Sequence, residues 1–125
     1  LQETIAEIAK NEVRYAEYMM EGAEIVVVAY GTAGRIAQTA IKQARARGIP
    51  VGLFRPISMF PFPYDRLDEI ASSARHILVV ELSAGQMIED VRLATNCRLP
   101  ISFFGKVGGV VPLPEDVLYE INKLA

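Results

Sequence analysis

Four turns carry the residues with chemical potential, and each comes directly after a short apolar run. Gly31-Thr32-Ala33-Gly34-Arg35 follows Ile25 to Ala29, and Arg55-Pro56 follows Val51 to Phe54. The segment from Glu81 to Gln86, which includes Gly85, closes a run that begins at Ile77, and Gly105-Lys106-Val107-Gly108-Gly109 follows Ile101 to Phe104. The first turn offers backbone N–H groups, a hydroxyl, a helix start and a guanidinium, a set suited to a phosphate or carboxylate. Its spacing matches neither G-x-G-x-x-G nor a P-loop, so a tight turn with Thr32 near the N-cap carries more weight than nucleotide binding. Gly105, Lys106, Gly108 and Gly109 suit a mobile cationic binding loop, although ordinary loop chemistry explains them equally well.

Two other features are less ordinary. From Arg55 to Pro63, three prolines and two phenylalanines fall within nine residues. This makes a stiff apolar loop in which Arg55, Pro56, Met59, Phe60, Pro61 and Phe62 would dock on a neighbouring domain or cover their own sheet edge. Glu81 ends an apolar strand, where a buried carboxylate is costly unless paired. Arg35, Arg55 and the N–H groups of the Gly85-Gln86 helix start are its candidate partners, and an internal ion pair outweighs acid–base catalysis.

No catalytic residue is assigned. His76 is the only histidine, so neither a zinc site nor a Ser-His-Asp relay can be assembled around it, and it reads as a strand-start residue. Gln86, Glu89, Asp90 and Arg92 read as a solvated helix face. The single cysteine, Cys97, cannot form an internal disulfide or build a thiolate metal site, and no metal ligands are expected. A net charge of -2 with no basic cluster argues against nucleic acid. Apolar runs fall far short of the roughly 20 residues that span a bilayer, and no signal-peptide pattern opens the chain, so a cytoplasmic location is the default.

The elements that must position these turns follow from periodicity. Residues 1–22 place Ile5, Ile8, Val13, Ala16, Met19 and Met20 among Glu3, Glu7, Glu12, Glu17 and Glu21, which predicts an N-terminal connecting helix with an acidic outer face, ending near Gly22. A start at Leu1, already in helical pattern, suggests a segment of something longer. Residues 23–125 form the main domain, in which apolar runs that do not alternate read as parallel strands covered on both faces. These runs alternate with helical stripes at Ile36–Ala44, Leu67–Ala74, Ile88–Ala94 and Val117–Leu124. The fold predicted is a three-layer α/β/α sandwich with a mainly parallel sheet of four to five strands in the order 2-1-3-4. All four turns then lie at the carboxyl ends of strands, and those at Gly31 and Gly85 flank the switch-point crevice.

Taken together, Tyr30-Gly31, Gly48-Ile49-Pro50-Val51, Arg55-Pro56, the strand His76 to Glu81, and Gly85 resemble the C-terminal domain shared by transketolase, the pyruvate dehydrogenase β chain and 2-oxoacid:ferredoxin oxidoreductases. The likeness covers about residues 23–125. Arg55-Pro56 with Phe60-Pro61-Phe62-Pro63, and the stretch from Glu81 to Arg92, narrow it to the α subunit of 2-oxoacid:ferredoxin oxidoreductases of the 2-oxoglutarate or branched-chain type. The resemblance implies a holoenzyme that decarboxylates a 2-oxoacid on thiamine diphosphate with magnesium, passes electrons through iron–sulfur clusters to ferredoxin, and transfers the acyl group to coenzyme A. This chain lacks the Gly-Asp-Gly…Asn diphosphate signature, the cluster cysteines and the domain that carries the catalytic glutamate. It is therefore expected to hold no cofactor, to be inert alone, and to dock on other domains and subunits with a tendency to self-associate. A free-standing anion or coenzyme A-binding module, and the matching domain of a pyruvate dehydrogenase or transketolase relative, are the alternatives.

Overall fold

The structure is a computed structural model that describes residues 3–4, 15–30, 32–56, 64–81, 86–95, 99–105 and 113–125. Ten elements follow in chain order: β1 (Glu3–Thr4), β2 (Tyr15–Tyr18), β3 (Ile25–Ala29), α1 (Thr32–Ala46), β4 (Val51–Pro56), α2 (Tyr64–Ser73), β5 (His76–Glu81), α3 (Gln86–Thr95), β6 (Ile101–Gly105) and α4 (Pro114–Leu124). They build one six-stranded sheet in the order β1-β2-β4-β3-β5-β6. The four strands of the β/α repeat are parallel and lie in the expected 2-1-3-4 order, here β4-β3-β5-β6.

The uninterrupted apolar runs have the predicted cause. Every residue of β3 is buried, because odd and even side chains enter different cores. Ile25, Val27 and Ala29 pack with Ala37, Ala40 and Ile41 of α1 and with Val117 and Ile121 of α4. Val26 and Val28 pack with Leu67 and Ile70 of α2 and with Val91 of α3. Two helical layers thus enclose the sheet. α1 ends where Gly48 adopts φ 84°, the left-handed conformation that a helix C-cap favours. At the start of α4, Pro114 needs no donor, and the Asp116 carboxylate accepts the Leu113 N–H at 2.9 Å.

The N-terminal helix is corrected over its described part. Residues 15–18 form a strand that runs antiparallel to β4 and also carries the two-residue β1 on its far side, which takes the sheet to six strands. Tyr15, Ala16 and Tyr18 are buried, with Tyr15 in the α2–α3 core and Tyr18 in the α1–α4 core. The spacing of apolar residues was compatible with a helix, but two tyrosines that cover opposite faces of a sheet edge suit an extended chain, and tertiary pairing overrides local pattern. Residues 5–14 of that expected helix lie outside the described residues. The turn after β2 is tight: Met19 has φ 55°, and its carbonyl oxygen lies only 2.8 Å from where a Cβ on Gly52 would sit. Arg45, near the end of α1, closes this corner. Its guanidinium donates to the carbonyls of Met19 at 2.6 Å, Glu21 at 2.8 Å and Val51 at 2.8 Å.

Candidate functional site

The carboxyl edge of the parallel strands is where such sheets bind ligands, and several of the sequence-singled residues reach it. Thr32 and Gln86 begin α1 and α3, and Gly105 ends β6 opposite Glu81; only the backbones of these two helix-start residues are described. Gly31, Gly85, Lys106, Gly108, Gly109, Met59, Phe60, Pro61 and Phe62 lie outside the described residues, as does most of the Phe-Pro loop.

The first and second turns come together through Gly34 and Arg55. Gly34 sits buried in the first turn of α1, and a Cβ built on it would stand 2.4 Å from Arg55 Nε and 3.0 Å from Cδ. Glycine at this position is thus what lets the Arg55 side chain lie across the helix start. The Arg55 Nε is itself buried. Leu53, two residues earlier on the same strand, belongs to the α1–α4 core, so alternation directs Arg55 to that face as well. Arg35, by contrast, is exposed on the outer surface of α1.

Glu81 is buried at 8% exposure, as its place at the end of an apolar strand required, and it is not left without a partner. Val79 belongs to the α2–α3 core, so Glu81 faces that side of the sheet. Arg55 and Glu81 therefore stand on opposite faces of one edge. Pro56 is buried and lies opposite Tyr15 of β2.

Sequence reasoning missed a polar cluster beside this edge. Glu17, read as part of an acidic outer face, instead has a side chain only 15% exposed and accepts two donors from Arg66 in the first turn of α2. Arg66 Nη2 lies 3.1 Å from Glu17 Oε1, and Arg66 Nη1 donates to Glu69 Oε1 at 2.9 Å. The hydrogen bonds to Glu17 hold the guanidinium charged well above the usual arginine range, against the opposing effect of burial. Next to it Tyr15 packs on Phe54 with ring centroids 5.1 Å apart. Burial, then the negative charge of Glu17, pushes the Tyr15 phenol up. The i,i+3 spacing of Arg66 and Glu69 was the one sequence signal for this cluster; the partner on β2 was hidden by the helical reading.

At the opposite, amino edge, His76 opens β5 as expected, and its Nε2 lies 2.8 Å from Ser102 Oγ on β6. Burial, then the charge of Arg75, lowers its pKa. Arg75 spans this edge, reaching Glu24 Oε1 at 3.2 Å and the Leu124 carbonyl at 2.9 Å.

Chemically, the described groups hold elements in place. Among the described residues no three histidine, cysteine, aspartate or glutamate side chains are grouped as a metal site would need. An iron–sulfur cluster, which takes several thiolates, does not fit a chain with one cysteine. Three grouped carboxylates that could hold a magnesium ion are likewise not found among the described residues. No described helix is long and apolar enough to cross a membrane.

Comparison with known proteins adds relatives to this geometry. The family described as pyruvate:ferredoxin oxidoreductase core domain II matches residues 23–117. Ketoisovalerate oxidoreductase subunit VorB of Methanothermobacter thermautotrophicus is 49% identical over 125 residues, covering 100% of this chain and 35% of that one. The 2-oxoglutarate synthase subunit KorA of Methanothermobacter marburgensis is 34% identical over 101 residues, covering 81% of this chain and 27% of that one. This chain thus spans about a third of the length of the curated relatives it matches. A solved 2-oxoglutarate:ferredoxin oxidoreductase from Magnetococcus marinus shares the fold with a TM-score of 0.79 at 20% identity, over 88% of this chain and 19% of that one.

Proposed function

The chain belongs to the pyruvate:ferredoxin oxidoreductase core domain II family, and from that premise we propose that it serves as a non-catalytic assembly domain in the α subunit of a 2-oxoacid:ferredoxin oxidoreductase. The observation that carries this reading is the relationship to VorB, which runs through the whole chain yet takes up only 35% of that subunit. The polar groups described at the carboxyl edge agree with it. Arg55 is packed against Gly34, Glu81 is buried, and the Glu17–Arg66–Glu69 cluster ties strand to helix. Packing of this kind fixes a surface.

In the intact cytoplasmic enzyme, thiamine diphosphate with magnesium, the iron–sulfur clusters and the site of acyl transfer to coenzyme A belong to other domains and subunits. The 49% identity to VorB against 34% to KorA favours a branched-chain 2-oxoacid over 2-oxoglutarate. The segment from Arg55 and Pro56 through Met59, Phe60, Pro61 and Phe62 serves as the docking element. A second reading, binding of the coenzyme A diphosphate near Gly31, Thr32, Gly34, Arg35, Gly85, Gln86 and the glycine loop with Lys106, is favoured only by the exposed guanidinium of Arg35 on α1.

Reconstitution tests the first reading. Purified alone, the chain should reduce no ferredoxin with 3-methyl-2-oxobutanoate and coenzyme A. The complete subunit set should do so, and a subunit with residues 23–125 deleted should fail to co-purify with its sister subunits. Turnover by the chain alone, or normal assembly of the deleted subunit, would overturn it.

A further inference from the structure

β2 lies upstream of the family-matched residues 23–117, yet it holds both ends of the connection between β4 and α2. We infer that β2 is a brace that sets the end of β4 and the start of α2 relative to each other, through its backbone ladder on one side and the Glu17–Arg66 pair on the other.

Strand register shows the first of these two links. β3 aligns with β4 only as far as Phe54, through Val28. Arg55 and Pro56 continue beyond it, and their strand neighbours are Ala16 and Tyr15 of β2. The position of Arg55, and so its packing across Gly34 on α1, therefore depends on β2. Side chains supply the second link. Glu17 points to the α2 side and takes two hydrogen bonds from Arg66, a residue 49 positions away in sequence, with both side chains largely removed from water at 15% and 31% exposure. Glu69 orients the guanidinium from within α2, so Arg66 is preset to receive the strand. Tyr15 closes the space between by packing on Phe54. At its other end β2 is fixed by Arg45, which grips the carbonyls of Met19 and Glu21. A displacement of the upstream chain would thus reach the carboxyl edge directly, while β3, β5 and β6 are paired without β2. The purpose of the brace, holding a docking face in shape, rests on the function proposed above; its existence does not.

Hydrogen exchange on the full chain tests it. Glu17→Gln should speed exchange about tenfold or more at Leu53, Phe54 and Arg55 and at the amides of α2 from Asp68 onward, with β5 and β6 unchanged, as local rather than global opening requires. The charge swap Glu17→Arg with Arg66→Glu, made in a Glu69→Gln background so that the new carboxylate does not face Glu69, should restore most of the protection. Acceleration spread evenly over all strands, no acceleration at either stem, or no recovery in the swap would each overturn the brace. If Glu17→Gln proves too unstable to purify, comparing the swapped pair with Arg66→Glu alone in that background decides the same question by the same exchange pattern. Stem-specific acceleration together with normal subunit assembly would uphold the brace and count against the docking function.

Discussion

Two glycines show how close backbone approach shapes the edge. A Cβ on Gly52 would stand 2.8 Å from the Met19 carbonyl oxygen and 2.9 Å from Met20 Cα, both backbone atoms fixed by the β2–β3 turn. Gly52→Ala should therefore cost about 1–3 kcal/mol, as overpacking of a rigid site does. At Gly34 the obstacle is the Arg55 side chain at 2.4 Å, and alanine adds about 1 kcal/mol of helix propensity that offsets part of the clash. Gly34→Ala should cost less than Gly52→Ala, and in an Arg55→Ala background it should become stabilising. Urea midpoints of the four variants decide this. An equal cost of Gly34→Ala in both backgrounds would show that Arg55 does not lie where the packing puts it. At this scale the sequence was partly legible: Gly34, Arg55 and Glu81 stood out by type and by their place after apolar runs. Their grouping was not, since the face each one takes depends on strand register. Glu17 was misread because a glutamate in an acidic stretch looks solvated until its guanidinium partner, far along the chain, is known.

Among the elements, β5 and β6 are joined at their amino ends by His76 and Ser102, 2.8 Å apart. Burial, then the charge of Arg75, holds the His76 pKa below its usual value of about 6.5, so the fold favours the neutral ring. The unfolded chain then binds the proton more readily. Stability from this residue is fully present above about pH 6.5 and declines as the pH falls through the folded-state value. Urea denaturation at pH 7.5 and pH 5 should show this loss, and His76→Asn should reduce it; an unchanged loss in the variant would assign it to other groups. The repeat of strand and helix was legible because each element carries its own period, continuous for buried strands and helical for the stripes on α1 to α4. β2 was not, because a four-residue strand next to the sheet edge has too little pattern of its own. What makes it a strand is the row of backbone groups on β4, which only the folded sheet presents.

For the molecule as a whole, the 2-1-3-4 order of the parallel strands and the two helical layers followed from alternation of elements and the handedness of crossovers. The antiparallel addition at the β4 edge did not follow, and it is this addition that links the chain preceding residue 23 to the carboxyl edge. The expectation of a non-catalytic role was drawn from a sequence with one cysteine and no diphosphate signature. Membership of the oxidoreductase domain II family gives that reading its setting. The most direct measurement is the reading frame upstream of Leu1, obtained by sequencing the parent gene. The expected result is an in-frame thiamine-enzyme pyrimidine-binding domain ahead of β1, with genes for cysteine-rich ferredoxin-type subunits nearby. A start codon immediately before Leu1, with no such domain encoded beside it, would contradict the assignment to an oxidoreductase subunit.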